Sequence, residues 1–180
     1  MEIATFAGGC FWCTEAIFKR LKGVSSVLPG YSGGDVENPS YEEVCDGNTG
    51  HAEAIQIEFD PKIISFETLL EVFFYTHDPT TLNQQGNDIG PQYRSVIFYH
   101  SGDQEKTAKE IIAKLDSEKI FPRPIVTKVE EFKNFYEAED YHKNYFDRNK
   151  TAPYCNIIIG PKIHKLLERF GKDVKDEYKN

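Results

Sequence analysis

The chain has 180 residues and a formal charge of −8, from 29 acidic against 21 basic side chains. That balance argues against a nucleic-acid backbone as partner, since such affinity rests on clustered Lys and Arg, and no apolar run approaches the ~18 residues of a membrane span. With 39% hydrophobic and 13% aromatic residues, residues 1–180 are read as one domain able to bury a core without disulfide staples.

The start, MEIATF, lacks the basic, apolar and cleavage regions of a secretory signal, so a soluble cytoplasmic protein is expected. Ile3 to Ala7 reads as a first strand, Gly8-Gly9 as a break, and Glu15 to Leu21 as a short helix with one buried face. Gly23 ends that helix, and Val24 to Tyr31 reads as a second strand. Asp35 to Gly50, rich in Asn, Pro, Gly and Asp, reads as a loop carrying Tyr41 and Cys45. Alternation returns from Ala52 to Phe59. Asp60-Pro61 breaks it, and Ser65 caps a helix from Phe66 to Tyr75. His77 to Tyr93 has no periodicity and is longer than most connections, which points to a functional loop. Arg94 to Tyr99 is expected as a strand, Asp103 to Lys119 as an exposed helix, and Pro124 to Glu130 as another strand. Phe132 to Phe146 is aromatic, with a helix expected over Glu137 to Asp147. Asn149 to Asn156 reads as loop, and Lys162 to Phe170 as a last helix. Residues 172–180, polar but for Val174 and Tyr178, are expected to fray. Strands separated by helices suggest an α+β domain around a mixed, mainly antiparallel sheet.

Chemistry concentrates at the strand, glycine break and helix start around Gly8-Gly9-Cys10-Phe11-Trp12-Cys13. The first residues of a helix carry free N–H groups and partial positive charge, which lower a thiol's pKa below roughly 8.5 and favour the nucleophilic thiolate. Cys10 is the candidate nucleophile. Phe11 and Trp12, on a turn expected to be partly exposed, are candidates for an apolar pocket. The competing reading is structural, because Cys, Phe and Trp are often simply core. Glu53 is a second candidate: strict alternation puts it on the same face as Ile55, Ile57 and Phe59. A carboxyl there is paired or stays protonated with a raised pKa, and so can act as a general acid. Otherwise it lies at a frayed strand end.

Three rival chemistries use the same residues. Zinc fits the Cys10-x-x-Cys13 spacing, but no second such pair is present, and Cys45 and Cys155 stand alone; no metal is expected. A thioredoxin-like oxidoreductase also opens a helix with CxxC. A Cys/His hydrolase needs a histidine beside the thiol, for which His51 is the best placed.

The segments Gly8-Gly9-Cys10-Phe11-Trp12, Asn38-Pro39-Ser40-Tyr41, Gly50-His51-Ala52-Glu53 and Gly86 to Ser95, in this order, resemble the A-type peptide methionine sulfoxide reductases from Ile3 to Phe170. The resemblance implies a two-layer α/β sandwich with a ferredoxin-like core, and reduction of the S epimer of methionine sulfoxide, free or in proteins. It also implies roles. Cys10 attacks the sulfoxide sulfur, Phe11 and Trp12 receive the methyl group, Glu53 protonates the oxygen, Tyr41 and Tyr93 hold it, and Asp88 orients the substrate backbone. Cys10 is left as a sulfenic acid, which a second thiol condenses with.

Many members have glycine where Cys13 stands and resolve through cysteines in a glycine-rich tail. Here Cys13 and Cys155 compete, and Cys13 is favoured because Cys155 is followed by Ile157-Ile158-Ile159. Cys45 is either a bystander or a loop thiol that reaches the site. No bound cofactor is implied, only an external thiol reductant such as a thioredoxin-like protein or dithiothreitol. A monomer is expected, with no nucleic-acid or membrane partner. The alternative class is a redox-sensing thiol protein without sulfoxide turnover, which has no need of Glu53, Tyr41 and Tyr93.

Overall fold

Apolar residues at period two build the strands, and these set the frame in the computed structural model, which describes residues 1–180. In chain order the elements are β1 (Glu2–Gly8), α1 (Phe11–Phe18), β2 (Val24–Ser32), α2 (Tyr41–Cys45), β3 (Ala52–Phe59) and α3 (Phe66–Thr76). They continue with β4 (Gln84–Gln85), β5 (Asp88–Ile89), β6 (Ser95–Tyr99), α4 (Gly102–Ser117), β7 (Lys128–Glu131), β8 (Tyr136–Glu137), α5 (Tyr145–Arg148) and α6 (Gly160–Phe170). Six strands form one sheet in the order β7-β6-β1-β3-β2-β8, and β4 and β5 form a separate ribbon. All pairings in the large sheet are antiparallel except β6 with β7. The expected α+β class with a mixed, mainly antiparallel sheet is the observed one. No helix is long and apolar enough to cross a membrane.

The register explains why one end of the sheet gathers the chemistry. Phe6 of β1 pairs with Ile55 of β3, so two residues onward Gly8 comes level with Glu53. Gly8 in turn pairs with Ser95, where β6 begins. Ser32, where β2 ends, pairs with Ala52. Thus β1 leads into Cys10, β2 leads out toward Tyr41, β3 enters at Glu53, and β6 is entered from Asp88 and Tyr93. All four connections lie at the same end of the sheet.

One face of β3 packs Ile55, Ile57 and Phe59 into the main core with Phe6, Phe18, Leu70 and Phe73, all at most 1% exposed. Each such side chain contributes roughly 1.5–3 kcal/mol of transfer free energy. The opposite face, with Ala52, Ala54, Val96 and Phe98, lies under Phe132 and Phe135. Glu53 therefore sits on the face that α1 covers, and it is 1% exposed.

Several local expectations give way. The loop before β3 contains α2, because Ser40 caps it: its Oγ accepts from the Glu43 N–H, while the Glu43 carboxylate accepts from the Ser40 N–H. The long 77–93 connection carries the β4–β5 ribbon and a 3₁₀ turn at Pro91–Tyr93. The strand expected from Pro124 begins only at Lys128, since Val126 already spends its N–H on the Pro79 carbonyl. The helix expected over Glu137–Asp147 is broken into β8, a 3₁₀ turn at Asp140–His142 and α5. Asn144 is left-handed there, and its N–H is taken by the Glu15 carboxylate at 2.9 and 3.0 Å.

The tail is docked rather than frayed. Val174 is fully buried and bridges Leu21, the Lys175 N–H donates to the Arg20 carbonyl at 2.8 Å, and the Arg20 guanidinium lies 4.6 Å from the Tyr178 ring centre.

Candidate active site

Cys10 stands at the N-cap of α1, where its carbonyl accepts from the Cys13 N–H at 3.1 Å and the Thr14 N–H at 3.4 Å. Gly9 makes that entry possible. It has φ of +90°, and a Cβ there would lie 2.6 Å from the Gln85 side chain. Gln85 is itself clamped, accepting from the Asp78 N–H at 3.0 Å and donating to the Asp78 carbonyl at 2.9 Å. The glycine break thus lets the β4–β5 ribbon lie against the start of the helix.

Of the turn, Trp12 is partly exposed as expected, whereas Cys10 and Phe11 are buried. Cys10 is 7% exposed, because Cys10, Cys13, Ala16, Cys155 and Ile159 form one buried cluster, and Phe11 is 0% exposed as part of the main core. Burial pushes the Cys10 thiol well up, and the hydrogen bond with Cys13 and the charge of Glu53 push it further. This reverses the lowering expected from the helix start: enclosure by the 155–159 segment outweighs the helix end. Cys10 and Cys13 titrate as one pair, within which the hydrogen bond from Cys10 pulls the Cys13 thiol down, burial opposes this, and the charge of Lys162 lowers it further.

Glu53 reaches the same helix start. Its Oε1 accepts from the Phe11 N–H at 3.2 Å, while Oε2 is buried with no partner. Burial pushes its carboxyl up to about 8, the Phe11 N–H pulls the other way, and the charges of Asp88 and Cys13 raise it further. Tyr41, at the start of α2, and Tyr93, in the 3₁₀ turn, are half-buried. Burial, then the charge of Glu53, raises both phenols, so each remains a donor. Asp88, on β5, accepts from the Tyr154 hydroxyl at 2.7 Å, and that hydroxyl lies 3.8 Å from the Cys13 Sγ. A cleft of about 200 Å³ opens onto Cys10, Cys13, Asp88 and Tyr154.

Phe11 and Trp12 part company. Phe11 lies beneath the site against Tyr31, Tyr41 and His142, with ring centres at 5.7, 6.4 and 4.9 Å. Trp12 is half-buried, with one face stacked on Tyr145 at 3.7 Å and 7°. Its indole N–H donates to His142 Nδ1 at 2.9 Å. Glu139 completes this wall, accepting from the Tyr31 hydroxyl at 2.9 Å and the Tyr41 N–H at 3.1 Å. Asp147 pairs with Lys19 and Arg20, tying the same segment to α1.

Cys155 is fully buried at the start of a π-helical turn, Cys155–Ile159, that continues into α6. Cys45 ends α2, its thiol against the Tyr41 hydroxyl, and burial raises it. All four cysteines are unpaired. His51 is spent on a loop: Nδ1 accepts from the Gly34 N–H at 3.0 Å, and Nε2 bonds the Val36 carbonyl at 2.7 Å. That leaves no free ring nitrogen for a hydrolase-type base. Sequence reasoning gave no site role to Tyr154, His142 or Glu139. The usable signal for His142 was that the indole N–H of the sole tryptophan needs an acceptor once its ring packs.

Matches to known proteins agree with this geometry. A family model for peptide methionine sulfoxide reductase matches residues 2–174. The peptide methionine sulfoxide reductase MsrA of Saccharolobus solfataricus is 56% identical over 175 residues, 97% of this chain and 98% of that one. Mxr1 from Saccharomyces cerevisiae, in its reduced form, superposes with a TM-score of 0.80 at 37% identity, over 86% of this chain and 88% of that one. The same yeast protein in complex with Trx2 gives 0.56 at 27% identity, over 80% and 84%. The chain therefore belongs to the MsrA type of the peptide methionine sulfoxide reductase family and is an oxidoreductase that reduces methionine sulfoxide.

Proposed function

We propose that the chain reduces the S epimer of methionine sulfoxide, free or within proteins, through a Cys10 sulfenic acid resolved by Cys13. The observation that carries the reading is Glu53, a buried carboxyl with one oxygen unpartnered and a pKa raised to about 8, on the helix start that holds Cys10. Such a group is protonated at neutral pH and can give its proton to the sulfoxide oxygen as the Cys10 sulfur attacks the sulfoxide sulfur. Tyr41 and Tyr93 donate hydrogen bonds to that oxygen, and Asp88 engages the substrate backbone. Trp12 and the aromatic wall over Phe11 supply the apolar side for the methyl group.

The protonated oxygen then passes from the substrate sulfur to the Cys10 sulfur; the sulfur–sulfur bond formed in the attack and the substrate sulfur–oxygen bond both break, methionine leaves with the electron pair, and Cys10 is left as the sulfenic acid. Cys13 then attacks the Cys10 sulfur, forming the disulfide and releasing water. Its hydrogen bond with Cys10, which pulls the Cys13 thiol down, favours this thiol, whereas Cys155 is enclosed in the π-helical turn and raised by burial. A thioredoxin-like dithiol, or dithiothreitol, returns the pair to thiols. The yeast relative solved with Trx2 supports that class of partner. The protein acts in the cytoplasm as a monomer and needs no bound metal.

Separate S and R epimers, assayed with dithiothreitol, test the substrate assignment: turnover of S alone is expected, and equal rates would overturn it. Cys10→Ser is expected to abolish turnover, and retained activity would remove Cys10 as nucleophile. Disulfide mapping by mass spectrometry after one equivalent of substrate, without reductant, decides the resolving thiol. A Cys10–Cys13 link is expected, and a Cys10–Cys155 link alone would refute it.

A further inference from the structure

Beside the thiol cleft lies a larger polar groove of about 780 Å³, between the end of α3, residues 120–122 and one face of α6. The two are not separate: Gln85 and Lys162 line both. From the cleft the groove follows Lys162, Lys165 and Arg169, which the helical repeat places along one face.

The charges in it are unevenly committed. Asp78 is held by the Thr80 N–H at 2.9 Å and hydroxyl at 2.5 Å, and faces Arg123 at 3.8 Å. Glu168 contacts His164 at 3.1 Å. Arg169 lies over the Tyr75 ring at 3.5 Å. Lys162 and Lys165 take part in no ion pair, in a chain whose net charge is −8. Lys162, whose charge also acts on Cys13, and Lys165 thus border the groove where it leaves the cleft, with no carboxylate partner.

We propose that this groove receives the flank of an oxidised protein substrate, and that Lys162 and Lys165 favour an Asp or Glu close to the methionine sulfoxide. The inference rests on the reading of the cleft as the sulfoxide site. Spacing sets the position. Lys162 is at the shared rim, and Lys165 is about 4.5 Å further along the helix axis. An extended chain covers roughly 3.3 Å per residue, so the acidic residue lies one to three positions from the sulfoxide. Both lysines are solvent-accessible, so the preference is modest: roughly two- to fivefold in kcat/KM, the size of one exposed ion pair. It contracts as salt screens the charges.

The test uses the full chain and synthetic peptides, each with one S sulfoxide and a Glu or Gln one, two or three positions to its N- or C-terminal side. The Glu to Gln ratio of kcat/KM is measured for the wild type, Lys165→Glu and Lys162→Gln. A ratio of roughly two to five on one side is expected in the wild type. It should fall to one or below in Lys165→Glu, shrink in Lys162→Gln, and shrink in about 0.5 M salt, where the screening length is about 4 Å. A wild-type ratio of one or less on both sides, or an unchanged ratio in Lys165→Glu, overturns the proposal. Turnover of the Gln peptides by the wild type reports on the sulfoxide site independently, so failure there indicts the site and failure of the ratio indicts the groove.

Discussion

Replacing Glu53 by Gln separates the stability of this site from its chemistry. The amide keeps the shape and the acceptor for the Phe11 N–H, now at 3.2 Å, but it cannot ionise. In the folded chain burial raises the Glu53 carboxyl from 4.5 to about 8. Between these values the native state holds a proton that the unfolded chain has released. Stability is then fully present below 4.5 and is lost as pH rises toward 8. The span is 8 − 4.5 = 3.5 pH units, which at 1.36 kcal/mol each is at most about 5 kcal/mol; up to pH 7 the span is 2.5 units, or at most about 3 kcal/mol. Glu53→Gln lacks this slope.

Relative to the wild type, the variant should therefore gain about 3 kcal/mol between pH 4.5 and 7, or roughly 6–12 °C in Tm for a chain of this size. Reductase activity should move the opposite way, falling about 10²- to 10⁴-fold with the loss of a general acid. In the wild type the chemical step should weaken above pH 8 as Glu53 loses its proton. Thermal and urea unfolding of the reduced proteins across this range, with single-turnover rates, make the test. Parallel stability curves for the two proteins would show that no proton is held at Glu53, and the general-acid role would fall with it.

His142→Phe removes the acceptor for the Trp12 indole N–H, a bond now at 2.9 Å. Because Trp12 is the only tryptophan, its fluorescence reports directly: acrylamide quenching should rise, and KM for peptide substrates should rise more than kcat falls. Unchanged quenching and KM would reduce His142 to filler. Gly9→Ala forces a side chain into a φ of +90° and to 2.6 Å from Gln85. Stability should fall by about 1–3 kcal/mol and activity with it, as the ribbon bearing Asp88 is displaced; a Tm and rate equal to the wild type would contradict this account of the glycine.

What could be read from the sequence was whatever depended on local period and spacing. Alternation placed Glu53 on the buried face of β3, and the strand, glycine break and helix start located Cys10. Short-range signals that were present but passed over explain two differences: Ser40-x-x-Glu43 is a capping box, hence α2, and Val174 and Tyr178, the two non-polar residues of the tail, are the ones that dock it. The remainder needed contacts distant in sequence. Nothing near Glu137–Asp147 says that Glu15 will take the Asn144 N–H, and nothing near Cys10 says that residues 155–159 will bury it.

That last burial raises a question of chemistry, since a nucleophile with a raised pKa is poorly ionised. Part of the rise in Cys10 comes from the negative charge of Glu53. Once Glu53 takes a proton, that contribution vanishes, and Cys10 ionises more easily in the very state in which the acid is loaded. The pair therefore shares one proton inventory and titrates as a unit. When the doubly protonated pair gives up one proton, the remaining proton can stand on either group, and the state with it on Glu53 holds thiolate and acid together. A buried carboxyl behind the thiol thus serves both needs of sulfoxide reduction, and an alkylation profile of Cys10 in Glu53→Gln should show its pKa lowered. An unchanged or raised value would uncouple the two groups.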